Sequence, residues 1–274
     1  MAGVKPSSDS RQQIVVGASV PIILLLLAGL AARYFAPLSG RDESTLLWLP
    51  TGIGLATVLL FGYPYALAVF IGTAIFVAED NVTTPLIVLG SAAGNALGAL
   101  ASALILCQLW GWRASQERVL DAAVFILTGC LVAGSIDVSL STVAMAAAHK
   151  MGWATVWYNA VQMWTPDALS VLVVGPLITS LAIRPRYLSS LRVGEALLCA
   201  AGLVASALIG FNLWPVPELQ SYPIIFLPFP FLAWGAVRFG AQGAAVGTTC
   251  LTAIVIASVV RRSEIGRASC RERV

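Results

Sequence analysis

Charge is scarce in this chain. Asp, Glu, Lys and Arg make up 11% of 274 residues, while hydrophobic residues reach 58% and the mean hydropathy is +0.87. A water-soluble fold of this size carries roughly a quarter charged residues, so water is excluded as the main solvent. There is a single histidine, which leaves no partner for a zinc helix motif and no context for a Ser-His-Asp triad. The five cysteines stand at 107, 130, 199, 250 and 270 with no Cys-x-x-Cys pair. Four lie inside apolar runs, so a disulfide or zinc framework has no support. The net charge of +3 is too small to suggest a nucleic-acid partner. Period-2 alternation is missing too, which argues against a membrane barrel. No Gly-x-Ser-x-Gly, His-Glu-x-x-His or Walker loop occurs, so no catalytic residue, metal set or cofactor motif is assigned.

What the chain does have is apolar runs of spanning length, such as Ile14 to Leu30 and Ala196 to Leu213. A bilayer core about 30 Å thick takes roughly 20 helical residues. The fold class read from this is all-α: a polytopic transmembrane helix bundle of about nine helices, eight to ten. The segments run 14–35, 45–61, 64–79, 85–110, 119–148, 154–183, 193–213, 221–238 and 240–260. Residues 1–13 form a short N-terminal tail. The first run is longer than a signal-peptide core and further spans follow, so it reads as an uncleaved helix. The second and third segments are short and meet at Gly62-Tyr-Pro-Tyr65, a turn signal. Gly134-Ser135 is placed to break the overlong fifth, and Pro223, Pro228 and Pro230 to kink the eighth. Lys5 and Arg11 put the N-terminus in the cytoplasm. Alternation then places Arg113, Arg118, Arg184, Arg186, Arg192 and Arg238 inside, and Asp42, Glu43, Glu79, Asp80 and Glu218 outside.

Few residues are equipped for chemistry. Gly90, Gly94, Gly98 and Ser102 are four apart and form one small-residue stripe, suited to close helix packing inside the bundle or to a homodimer interface. Asn95 lies beside it, suited to bonding a neighbouring helix. Asp137 and Asp167 are carboxylates well inside apolar segments, where burial is costly and an inward-facing partner is the rule. Pro166 frees the carbonyl of Gln162, which suggests a polar pocket around Asn159, Gln162 and Asp167. Trp153, Trp157 and Trp164 share one stripe of the same helix. Such a site could bind a small polar or cationic ligand or couple protons. Equally, Trp153 and Trp157 could be interface anchors, with Asp167 joining helices. His149 reads as a solvated residue at a helix end, and Asn81-Val-Thr83 has the form of a glycosylation acceptor. The surroundings of Asp137 and Asp167 do not match the signatures of an intramembrane aspartyl protease.

Several segments, taken in order, carry a resemblance. They are Leu47-Trp-Leu-Pro-Thr-Gly-Ile53 with Trp48, Pro50 and Gly52; Gly94-Asn95; Trp164-Thr-Pro-Asp-Ala168 running to Pro176; and Phe231 to Gly240 with Arg238, Phe239 and Gly240. Together they resemble the first class of membrane-associated sensor domain. That family usually has Gly-Asp where this chain has Pro166-Asp167. The resemblance implies a multi-pass sensory input domain over 14–260 in the bacterial inner membrane. It further implies a cytoplasmic histidine kinase or diguanylate cyclase output, reached through a final helix. The partners expected are the lipid bilayer, a second copy of the chain, and a small-molecule or membrane-state stimulus. The domain itself is not an enzyme. Glu264 to Val274 resembles a translated sequencing adapter, so 261–274 reads as a non-native tail and the output domain as missing. Broken helices with intramembrane carboxylates also fit a small-solute transporter, and a passive dimerising anchor is the third reading.

Overall fold

The computed structural model describes residues 47–78, 84–112, 118–182, 190–211, 213 and 224–271. The expected helix over 14–35, the Asn81-Val-Thr83 acceptor and most of the loop charges used for orientation lie outside them.

Seven helices and no strand occur among the described residues. Helix α1 is Leu49–Phe61, with Pro50 in its first turn, where a missing N–H costs nothing. It stops at Gly62, whose φ of 103° suits a residue without Cβ. A 3-10 turn, Tyr63–Tyr65, leads into α2, Ala66–Ala78. Each of these helices has 13 residues, or about 20 Å at 1.5 Å per residue, which is short of a bilayer core. Helix α3 is Pro85–Leu104, and its last turn widens into a π turn over Ile105–Leu109. Helix α4 runs over Val119–Ala147. The expected break at Gly134-Ser135 does not stop it. Instead a π turn over Gly129–Ala133 adds one residue to the turn and the helix continues. Helix α5 is Val156–Ala182, with Pro166 and Pro176 inside it, and α6 is Ser190–Gly210.

The last two expected segments meet at Gly240, whose φ of 65° and ψ of −150° break the helical run Phe229–Arg271, here α7, at the boundary expected between them. Neither Pro228 nor Pro230 kinks the chain, and Pro223 lies outside the described residues. Pro230 falls in the opening turn of α7 and Pro228 just before it, where no intrahelical N–H is lost. Among the described residues five segments are long and apolar enough to cross a membrane: Pro85–Leu109, Val119–Ala147, Trp153–Ala182, Val193–Gly210 and Ile224–Val259.

Packing is closest between α3 and α4, then between α1 and α5 and between α2 and α3; α6 pairs with α7, which also rests on α5. The small-residue stripe explains the first contact. A Cβ on Gly94 would stand 2.7 Å from the Asp137 carboxyl, one on Gly98 2.7 Å from the Ala133 carbonyl, and one on Gly90 inside the Ala144 side chain. The Ser102 hydroxyl donates to the Thr128 carbonyl at 3.4 Å. Without a hydrophobic driving force between helices in lipid, such close approach holds spans together. The stripe is thus used inside the bundle. Leu55, Leu106, Phe125 and Val171 are fully buried where α1, α3, α4 and α5 meet. Leu197, Leu198, Phe229 and Val237 are exposed, as lipid-facing side chains are.

Candidate functional site

Helix α1 begins inside the bundle, seated halfway along α5. The Trp48 N–H donates to the Pro166 carbonyl at 3.3 Å. The Gly52 N–H donates to the Ser170 hydroxyl at 3.0 Å, which in turn donates to the Leu49 carbonyl at 3.2 Å. A Cβ on Gly52 would overlap the Ser170 carbonyl, so the backbones approach only because position 52 is glycine. The Trp48 ring packs on Phe76 with centroids 5.3 Å apart. Through these contacts the segment from Trp48 to Gly52, with Pro50 between them, fixes the start of α1 against α5.

From that start the side chain of Thr51 reaches the carboxylates. Its hydroxyl donates to Asp137 Oδ2 at 3.2 Å, and the Ser141 hydroxyl donates to Asp137 Oδ1 at 3.3 Å. Asp137 on α4 and Asp167 on α5 face each other within hydrogen-bonding reach, and Thr51 touches both. Asp137 is 2% exposed and Asp167 3%. Carboxylates offer only acceptors, so a bond between the two carboxyls requires a proton on one of them. No Lys, Arg or His among the described residues pairs with either. The partial positive end of α1, roughly half a charge, is the nearest compensation.

Trp164 is held one turn before Asp167. At the π turn of α4 the Gly134 N–H reaches back to the Gly129 carbonyl, bypassing that of Cys130. The Trp164 indole N–H donates to the Cys130 carbonyl at 3.0 Å. A Cβ on Gly134 would lie 3.2 Å from the Trp164 indole nitrogen and 3.7 Å from the Asp167 Cβ.

Asn95 is 2% exposed, yet neither its amide nitrogen nor its amide oxygen has a hydrogen-bond partner. Thr73 Oγ1 on α2, fully buried, is unpartnered as well. Buried polar groups in native proteins are nearly always bonded, so each of these side chains stands out, as do Thr84 Oγ1, Trp112 Nε1 and Asp121 Oδ2.

The structure brings together Asp137, Asp167 and Trp164 but not the rest of the expected pocket. Asn159 donates to the Thr155 carbonyl of its own helix at 3.0 Å, Gln162 is exposed, and Trp153 and Trp157 are 63% and 80% exposed. Proline at 166 does free a carbonyl one turn back, but on the outward face of α5. Pro176 lies further along α5. Arg238 pairs with Glu195 of α6, Nε to Oε2 at 2.7 Å, and Trp234 donates to the same carboxylate at 3.3 Å. Phe239 precedes the Gly240 break. His149 is exposed with φ 57° at the end of α4. Thr51, Ser170 and Glu195 are the site residues that the sequence did not announce, whereas Ser141 stands one helical turn from Asp137 in the sequence itself. A threonine after Pro50 at a helix start was the available signal for the first.

Among the described residues no group of three or more His, Cys, Asp or Glu is placed to hold a metal ion. The arrangement offers no activated nucleophile. It can hold or exchange a positive charge at the centre of the bundle, where α1, α4 and α5 are all tied to one carboxyl pair.

No curated protein and no solved structure matches the chain. The family model MASE1 matches residues 17–265, nearly the whole length, in agreement with an all-helical bundle whose long apolar spans place it in a membrane. The chain belongs to the MASE1 family of membrane sensory input domains.

Proposed function

We propose that this domain senses through its buried carboxyl pair and passes the change along α5 into α7. The observation that carries this reading is the Asp137–Asp167 contact with Thr51 across three helices. Intramembrane carboxyls are costly to keep, and this pair sits where a change of charge alters the packing of α1, α4 and α5 together. Gln242, two residues past the Gly240 break, donates to the Ser180 carbonyl of α5 at 2.9 Å. Movement of α5 therefore acts on α7 beside its least regular point. The parent protein is a bacterial inner-membrane kinase or diguanylate cyclase, homodimeric, with the N-terminus in the cytoplasm.

The test is Asp167→Asn in the full-length product of the same locus. The reading predicts that output no longer responds to growth conditions while protein level is unchanged. Normal regulation in this variant removes the carboxyl pair from sensing. A transporter is the second reading, favoured by one observation: α1 starts at mid-bundle beside intramembrane carboxyls, as broken transporter helices do. Solute accumulation in proteoliposomes carrying the chain would establish it.

A further inference from the structure

We propose that the seam between α1, α3, α4 and α5 binds a monovalent cation of sodium size, held by Asp137 and Asp167 with Thr51, Ser141 and Asn95. This rests on the sensing reading above and names the class of stimulus that the carboxyl pair would take.

The donor set points to such an ion first. All five side chains offer oxygen, the ligand type that hard cations prefer. The hydroxyls of Thr51 and Ser141 already lie 3.2 and 3.3 Å from the Asp137 carboxyl, so a cation seated on that carboxyl meets their oxygens without movement of a helix. Sulfur and imidazole, which favour transition metals, are not in the set.

Asn95 points to it independently. It is 2% exposed and its amide oxygen lacks any partner. Its direction follows from the helix. At 3.6 residues per turn, position 95 falls between Gly98 and Ser102, which touch α4, and Ala99, whose Cβ lies 3.8 Å from a Cβ built on Gly54 of α1. The amide thus points into the cleft between α1 and α4. Its level is fixed by the preceding residue, since Gly94 abuts Asp137 itself. An unsatisfied amide and a carboxyl pair without a cationic partner share one cleft, and a cation completes both.

Charge selects the valence. A carboxyl pair joined by one proton carries a single net negative charge, which a monovalent ion neutralises and a divalent ion overshoots in a medium where excess charge is costly. Magnesium in addition demands near-octahedral geometry and gives up its water reluctantly. An organic cation is disfavoured because Trp153 and Trp157 face outward, which leaves Trp164, its indole N–H engaged by the Cys130 carbonyl, as the one tryptophan of that stripe at the site.

The experiment uses the purified full chain in nanodiscs, with unfolding temperature followed in sodium chloride against choline chloride at equal ionic strength. Ligand binding to the folded state raises stability in a saturable, concentration-dependent way. The expected result is a rise with sodium only, shifted to at least roughly tenfold higher sodium in Asn95→Ala, the scale on which lost supporting groups weaken metal sites. Thr51→Val gives a second folded series if Asp167→Asn does not fold. Equal curves in sodium and choline, or an Asn95→Ala curve identical to the parent, overturn the proposal and assign the cleft to water. A sodium response alongside normal regulation in full-length Asp167→Asn keeps the cation site and removes the sensing reading. Lost regulation in that variant with no sodium response does the reverse.

Discussion

The indole N–H of Trp164 closes on the carbonyl of Cys130 at 3.0 Å, the carbonyl that the π turn of α4 leaves without its helical donor. One helix's irregularity is thus satisfied by its neighbour, and α4 and α5 are locked in register beside Asp137 and Asp167. Trp164→Phe keeps the ring and removes the donor. Interhelical hydrogen bonds in membranes average about 0.6 kcal/mol, and orphaning a buried acceptor costs about 1–3 kcal/mol. Unfolding of the variant in lipid should show a loss of about 1 kcal/mol, whereas an unchanged stability would mean that the Cys130 carbonyl has another donor.

The glycine stripe makes a contrast that thermal unfolding can read. Gly94→Ala drives a methyl into the Asp137 carboxyl and backbone, and overpacking costs about 1–3 kcal/mol. Gly194→Ala, on α6, meets no atom within 4 Å and should be neutral or stabilising by about 0.5–1 kcal/mol. Equal effects at both positions would contradict the close α3–α4 packing.

Much of this was legible beforehand for a simple reason: lipid imposes few solutions. Apolar runs of spanning length dictate helices, and intramembrane Asp137 and Asp167 must face inward and find a partner. Their meeting across α4 and α5 needed three-dimensional register, which the π turn at 129–133 resets by one residue and no local propensity announces. The same register leaves Gln162 and Asn159 on the outer face of α5, although Pro166 suggested otherwise. The break at Gly240 falls where segments 221–238 and 240–260 were expected to meet, whereas Pro228 and Pro230, expected to kink the first of them, stand at a helix start where their effect vanishes. Thr51 was hidden because a hydroxyl in an apolar run has no periodic signature.

Gly240 has φ 65° and ψ −150°, a conformation open almost only to glycine and costing other residues about 1–3 kcal/mol. Gly240→Ala should lower the unfolding temperature although a Cβ there meets nothing within 4 Å. A wild-type unfolding temperature would show that the break in α7 relaxes freely.

The Arg238–Glu195 pair is half-open, with Arg238 54% and Glu195 23% exposed. Pairs of this kind are worth about 0–1 kcal/mol. Glu195→Gln should therefore change stability by less than about 1 kcal/mol and still accept the Trp234 donor. A loss of several kcal/mol would show that the pair is sealed from water.

Sensing and cation binding both require Asp137 and Asp167 to act as one site. A double-mutant cycle with Asp137→Ala, Asp167→Ala and the double variant, followed by unfolding in nanodiscs, measures that directly. Groups in contact show coupling of about 0.5–3 kcal/mol, and the structure predicts a value in that range. Additivity within about 0.3–0.5 kcal/mol, the behaviour of separate sites, would contradict the carboxyl pair and everything drawn from it.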